Sequence, residues 1–588
     1  MLYERCMARR DPHSYADDTQ AQTVHLALTA RVDFASEQLH AEAALTFAAP
    51  GRGRLDLDTR ELEIAAIEDL EGRALPFVLH PAEPILGARL AIELGEACRG
   101  VRVRYRTSPA ASALQWLAPA QTTGGRAPFL FSQCQAIHAR SVVPLQDTPR
   151  LRIRFTAELT VPRALTAVMA AAHLGRSEHG ELAIERFEMP QPIPPYLLAF
   201  AVGELTAQDL SPRSRVWAEP AMVARAAWEL AEVEQMIEAA EALFGPYDWE
   251  RFDVLVMPPS FPYGGMENPR LTFLTPTVIA GDRSSVNVLA HELAHSWTGN
   301  LVSNANANHF WLNEGFTVYA ERRILEVVYG AENAALHAAL GRRSLDEAVT
   351  QFAAQPELTR LRTELAGVDP DEVFSVVPYE KGYALLRALE DEVGRAAFSR
   401  WLRAYIEAFR FQSVTTDDFL AHIGAALPGA LEAVDALRWI DGEGVPDHAP
   451  RASSDRLAAI EQLGGQLPDE AMAAAWSATE WQLYLESVPQ PATVEHCRAL
   501  DQRFGMTTRD NYEVLVAWLT LALRAGYLDV VPRVEQVLAA VGRMRYLRPL
   551  YAALAADPRT RPTALAAFAR LRAGYHPIAR QVVEAVLR

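Results

Sequence analysis

The sequence predicts a multidomain α+β protein built in three successive parts, and three observations carry that expectation. Residues 24–204 alternate apolar and polar positions with period two, residues 220–441 turn from mixed to mostly helical patterns, and residues 455–588 are helical almost throughout. With 588 residues the chain is too long for a single core, and a hydrophobic content of 50% is enough to fill several. The expected parts are 1–205, 206–441 and 456–588, with 442–455 as a linker rich in Gly, Pro and Ser.

In the first part Val24-His25-Leu26-Ala27-Leu28, Val101-Arg102-Val103-Arg104-Tyr105 and Leu151-Arg152-Ile153-Arg154-Phe155 alternate, and turn clusters such as Ala49-Pro50-Gly51-Arg52-Gly53 separate the runs. This is the pattern of an antiparallel sheet with one face in water. Gln133 and Gln135 flank Cys134 in an apolar neighbourhood. Two amides there suit a strand edge that satisfies its own backbone, and Cys134 has no activating base near it in sequence, so it does not read as a nucleophile.

The second part opens with a helix over Ala221–Leu243, stopped by Gly245-Pro246, and a strand over Asp253–Met257. A loop follows, Pro262-Tyr263-Gly264-Gly265-Met266-Glu267-Asn268-Pro269. Paired glycines allow a backbone to approach a ligand closely, and Glu267 is either a surface carboxylate or a holder of a cation. Ser284 and Ser285 are good N-caps for a helix running into His291-Glu292-Leu293-Ala294-His295, and a further helix spans Phe316–Val328. Later, Asp369-Pro370-Asp371 caps a segment leading through Val377-Pro378-Tyr379-Glu380-Lys381-Gly382 into a helix at Tyr383. Tyr379 at that entrance is either core or a donor to an oxyanion.

The third part reads as a stack of helix pairs without a strict period, with segments at 455–463, 469–476, 478–486, 494–504, 509–524 and 530–541 before the run to 588. Arg543, Arg545 and Arg548 crowd together around Met544. They form a charged helix surface or a clamp for a carboxylate, to which the planar guanidinium fork is suited.

The chemistry concentrates between His291 and Glu314. Residues four apart share a helix face, so His291 and His295 can aim their rings at one point. Glu314, separated from the second His by eighteen residues, is the natural third ligand of a single Zn2+ per chain, and a His2Glu set leaves a fourth position open for water. Glu292, next to a ligand, faces that open side, where a general base is needed.

A formal net charge of -18 argues against a nucleic-acid partner and suits a small-molecule or peptide substrate. Four scattered cysteines, Cys6, Cys98, Cys134 and Cys497, form no paired motif and suit a reducing cytoplasm. The stretch Met1–Thr19 is polar and lacks an apolar signal core, and no apolar run reaches membrane-spanning length. Lys381 is the only lysine among the 56 basic residues, which reflects composition bias.

Together these motifs resemble the M1 family of zinc aminopeptidases, and within it the branch of leukotriene A4 hydrolase/aminopeptidase and its bacterial relatives. The residues that carry the resemblance are Gly264-Gly265-Met266-Glu267-Asn268, His291 to His295 with Glu314, Pro378 to Gly382, Gly542-Arg543-Met544-Arg545 and Gln133-Cys134-Gln135, spread over nearly the whole chain. The resemblance implies an N-terminal β saddle, a thermolysin-like zinc catalytic domain and an α-helical C-terminal domain. It implies a Zn2+ held by His291, His295 and Glu314, with Glu292 as base and Tyr379 as oxyanion stabiliser. Glu267 and Gln135 would hold the free α-amino group of a short peptide, with Pro262 to Met266 lining that subsite. Arg543 and Arg545 would bind the carboxylate at the other end, and Asp371 would partner a basic first side chain. Phe374 stands five before Tyr379 where the vertebrate epoxide hydrolase has Tyr, and Arg545 stands where the family often has Lys.

The expected activity is therefore release of the first residue from short peptides by a cytoplasmic monomer or small homo-oligomer that binds no membrane. Other readings are a lipid-epoxide hydrolase in the same pocket, against which Phe374 argues, and a non-catalytic peptide binder, against which Glu292 and Tyr379 argue. A thermolysin-type endoprotease conflicts with the loop from Gly264 to Asn268.

Overall fold

The computed structural model describes residues 11–588; Cys6 and the first half of the polar Met1–Thr19 stretch lie outside them. The β-rich first part is one long curved sheet whose strands run, side by side, 172–179, 182–193, 153–162, 23–33, 38–59, 88–106 and 63–69, with 77–79 also paired to 88–106. Strand Gln38–Thr59 turns inward over its second half, where residues 55–59 are all buried. The sheet departs from a purely antiparallel one at a single junction among the described strands. Thr23–Asp33 and Ile153–Pro162 pair in parallel, from His25 opposite Arg154 to Arg31 opposite Thr160. The 119 residues between Asp33 and Ile153 form a long crossover, which a parallel neighbour requires and a tight hairpin cannot supply. A second sheet of four strands, 114–117, 129–132, 200–203 and 166–169, carries Gln133 and Cys134 just past the end of Phe129–Ser132.

A third, mixed sheet opens the second part and ends at an edge strand formed by Gly265 and Met266, which pair with Leu274 and Phe273. The helix expected over Ala221–Leu243 is two helices, Val223–Glu229 and Val233–Phe244. The break lets the buried Glu229 carboxylate accept from the backbone N–H groups of Gly281 and Arg283, at 2.8 Å each, so tertiary bonding overrides helical periodicity. Ser285 stands at the start of the Val286–Ala294 helix, but its side chain makes no capping hydrogen bond.

Two more helices begin earlier than their periodicity suggested: Trp311–Tyr329 starts before Phe316, and Val377–Val393 starts before Tyr383, with Pro378 in its first turn. They cross where Gly315 meets Gly382, and a Cβ at Gly315 would lie 2.7 Å from the Gly382 Cα. That glycine contact brings the helix of Glu314 against the helix of Tyr379. The apolar residues of the sheets and of these helices form one continuous core.

The helical third part has its own core. Helices 455–462, 478–487, 512–524, 544–556 and 577–587 follow one another as a layer, each against the next, and 494–504, 531–540 and 561–571 connect them on one side. The run Val514–Leu523 lies in the helix Tyr512–Arg524 and is mostly buried, as its length suggested. No helix among the described residues is long and apolar enough to cross a membrane.

Candidate active site

His291 lies in the last turn of the Val286–Ala294 helix, His295 caps that helix, and Glu314 sits in the first turn of Trp311–Tyr329. The ring nitrogens His291 Nε2 and His295 Nε2 are each 3.5 Å from Glu314 Oε2. A tetrahedral zinc with bonds near 2.0–2.2 Å requires donors roughly 3.3–3.5 Å apart. The second nitrogens are already engaged. His291 Nδ1 meets Glu321 Oε2 at 3.0 Å, and His295 Nδ1 meets the Thr298 carbonyl at 3.0 Å and Thr317 Oγ1 at 3.1 Å. Partners that accept place the proton on Nδ1 and leave both Nε2 atoms as lone pairs aimed inward. Glu314 Oε2 is buried without a hydrogen-bond partner. Two lone pairs and an orphaned carboxylate oxygen converging in a buried site fit a divalent cation. Without a cation, burial raises the Glu314 carboxyl, but the positive charge that His295 and His291 then take up outweighs it and holds the carboxyl below the ordinary carboxylate range.

Glu292 is buried beside this centre, and a Cβ at Gly265 would collide with its carboxylate, so the glycine is required by the close approach. Without a cation, burial pushes Glu292 up to about 8, opposed by His291 and His295. The Tyr379 ring stacks on His291 at 6.0 Å, with Phe310 and Phe374 edge-on to it. Burial, with the Glu314, Glu267 and Glu292 carboxylates nearby, holds its phenol well above the usual range and therefore as an O–H donor.

Glu267 is buried, receives Gln135 Nε2 at 3.3 Å, and its carbonyl accepts Asn300 Nδ2 at 2.7 Å. Gln133 Oε1 accepts the Gln135 N–H at 2.6 Å, and its side chain also meets the Tyr263 phenol. Cys134 is buried and burial pushes its thiol far up, so it is inert. Tyr263 packs on Phe261 and Phe374, and Met266 is buried behind the edge strand. Beside these residues opens a cavity, partly open to solvent, walled by Ala136, Phe310, Trp311, Leu361 and Phe374 among others. Asp371 also lines it, but is not free: His138 Nε2 holds its Oδ2 at 2.7 Å, and His138 Nδ1 faces Arg60 at 3.0 Å.

From the helical part, Arg543 reaches under the loop, and a Cβ at Gly264 would sit 2.9 Å from its guanidinium. Arg543 NH1 donates to Glu513 Oε1 at 2.9 Å and to the Tyr546 hydroxyl at 2.6 Å. Arg545 is half-exposed, with Nε 3.3 Å from Glu513 Oε2. The two guanidiniums overcome burial and bring Glu513 down to about 2. Met544 contributes its backbone, whose N–H donates to the Pro262 carbonyl at 2.9 Å. Arg548 turns away to Gln351 and leaves the cluster.

Sequence reasoning missed Glu321, Thr298, Thr317, Asn300, His138, Glu513 and Tyr546. Glu321 carried a usable signal, since it lies seven residues, two helical turns, beyond Glu314 on the same face. The others pair across segments and carried none.

Residues 22–197 match the peptidase M1 N-terminal domain, 228–439 the peptidase family M1 domain, and 476–587 the leukotriene A4 hydrolase C-terminal domain. The chain is similar to leukotriene A-4 hydrolase of Xenopus laevis, 38% identical over 97% of this chain and 98% of the relative. It is also similar to leucine aminopeptidase 2 of Ajellomyces capsulatus, 35% identical over 98% and 96%. The solved structure of yeast LTA4 hydrolase in complex with bestatin superposes with a TM-score of 0.90 at 32% identity, covering 99% of this chain and 97% of that one. With a zinc-compatible His2Glu cluster, three matched domains and relatives of full length, the chain belongs to peptidase family M1, in its leukotriene A4 hydrolase branch.

Proposed function

We propose that this protein is a zinc aminopeptidase that removes the first residue from short peptides with a free N-terminus. The observation that carries the reading is the pairing of two features around one buried cleft. Glu292 lies beside a His291–His295–Glu314 cluster, and Glu267 with Gln135 offers a carboxylate and an amide carbonyl to an ammonium group. Bound zinc supplies Lewis acidity and lowers the pKa of a coordinated water toward ~7.

Glu292 takes the proton of the attacking water and passes it to the leaving amine. The Tyr379 hydroxyl donates to the oxyanion that develops at the scissile carbonyl. Glu267 accounts for the stop after one residue, because a blocked or internal amide would leave its buried carboxylate unpaired. Gly265 and Met266, as an edge strand, present unpaired backbone groups to an extended peptide. Arg543 and Arg545 take the carboxylate at the peptide's far end, and Asp371 receives a basic first side chain. A cytoplasmic setting and a monomer or small homo-oligomer complete the proposal. The apolar cavity also supports a second reading, hydrolysis of a lipid epoxide in the same pocket, although Phe374 brings no hydroxyl to it.

The test is hydrolysis of aminoacyl-anilides, tripeptides and C-terminally amidated tripeptides, with chelator and with zinc restored. Chelator-sensitive release of the first residue, slowed by amidation, is expected. Acetyl-blocked peptides should resist cleavage; rapid internal cleavage of them would replace the reading with an endoprotease. Glu292→Gln should cost on the order of 10²–10⁴ in kcat while zinc content stays at one per chain. A near-normal rate in that variant removes Glu292 as the base.

A further inference from the structure

The arginine cluster contains its own carboxylate. Glu513 lies in the first turn of Tyr512–Arg524, where the helix N-terminus favours a negative charge. Its Oε1 accepts from Arg543 NH1 at 2.9 Å and from the Tyr546 hydroxyl at 2.8 Å, and its Oε2 faces Arg545 Nε at 3.3 Å. Both oxygens are therefore spent on the clamp.

Two consequences follow. The first is geometric. By occupying NH1, Glu513 and Tyr546 leave Arg543 with its Nε–NH2 edge, the edge that binds a carboxylate through two parallel hydrogen bonds. Arg543 Nε has no hydrogen-bond partner, and NH2 is the guanidinium atom nearest Gly264. The second is electrostatic. Two guanidiniums less one carboxylate leave a single positive charge, and Glu486 adds further negative potential at Arg545.

We propose that Glu513 is a specificity-determining residue. It sets the clamp to one positive charge, turns Arg543 to receive one carboxylate, and so selects short peptides whose C-terminal side chain is not acidic. This rests on the aminopeptidase reading and on the arginines as the carboxylate site. A peptide ending in Asp or Glu would bring a second carboxylate against Glu513, and repulsion between like charges is how a site rejects a near-identical ligand.

The experiment uses the zinc-loaded full chain and tripeptides that differ only in ending with Asn or Asp, two isosteric side chains, together with the amidated Asn peptide. In the wild type, kcat/KM is expected to favour Asn over Asp by about tenfold. In Glu513→Gln, which keeps the shape and removes the charge, that ratio should fall to within about twofold. Zinc content and melting temperature establish that the variant is folded; Glu513→Asn serves if the Gln variant is not. Equal rates for the two peptides in the wild type overturn the proposal without any variant. So does a ratio that is unchanged in a folded variant. If amidation has no effect on the wild type, the carboxylate clamp itself is wrong, and Glu513 falls with it. If only the Asn-to-Asp ratio fails to move, the clamp stands and Glu513 does not set its selectivity.

Discussion

His291 and His295 present bare Nε2 atoms to Glu314 because Glu321 and the Thr298 carbonyl take the protons of their other nitrogens. Such partners fix ring orientation and raise ligand basicity, and their loss typically weakens metal binding by about 10–100-fold. Glu321→Gln should therefore lose zinc to a competing chelator about 10–100 times more readily than the wild type. Unchanged zinc affinity would mean that packing alone orients His291. Asp371 shows the same principle at the cavity wall. Arg60 can only donate, so the Nδ1 it faces on His138 accepts, and the Nε2–H is left to point at Asp371. Asp371 is thereby held at one oxygen by a ring whose tautomer is fixed.

The Val377–Val393 helix is placed by two contacts that local sequence does not announce. One is the crossing at Gly315 and Gly382. The other is Lys381, fully buried, whose ammonium donates to the Thr359 carbonyl at 2.8 Å and the Gly442 carbonyl at 2.7 Å. It ties the Tyr379 helix both to the cavity wall and to the segment leading into the helical part. Burial, with Arg438 and Arg360 nearby, brings this amine down to about 7 from an ordinary 10.5. Between those values the unfolded chain binds the extra proton, so the contribution to stability rises with pH, by up to ~1.4 kcal/mol per unit. Urea midpoints measured from pH 7 to 9 should accordingly climb less steeply in Lys381→Met than in the wild type. Parallel curves would place the titration elsewhere. What composition presents as a bias against lysine is, at this position, a buried cross-brace.

At the scale of the whole molecule the helical part docks on the loop that lines the cleft. The Gly542 N–H donates to the Pro259 carbonyl at 2.7 Å, and the Met544 N–H to Pro262 at 2.9 Å. A Cβ at Gly542 would lie 2.7 Å from the Ser260 carbonyl oxygen, so the approach is open only to glycine. Gly542→Val should push Arg543 away from Gly264, and a displacement near 1 Å can cost about 10²-fold. The expected result is a loss of that order in kcat/KM for tripeptides and a loss of the preference for a free C-terminus. Normal tripeptide kinetics in a folded variant would show that the docking is not what aligns the clamp. His576 stacks on Phe131 at 6.1 Å, which ties the end of the chain to the first part as well.

The sequence by itself determined the three-part α+β architecture and the short-range chemistry. Period two and period 3.6 are local properties, and the spacing of His291 and His295 puts both on one face of a helix whatever surrounds it. The glycines of the 264–265 pair were readable for the same reason, since a missing side chain has meaning wherever a ligand or a carboxylate comes close. Only the tertiary structure decided where the helices of Glu314 and Tyr379 begin, that Ala221–Leu243 breaks at Glu229, and that the first sheet contains a parallel junction. It also decided how the charged groups are paired: Asp371 with His138, the single Glu513 carboxylate between Arg543 and Arg545, and Arg548 with the Gln351 amide. These pairings join residues from about 30 to more than 230 positions apart. No local period encodes such a partner, because a side chain's role there is set by what burial brings beside it.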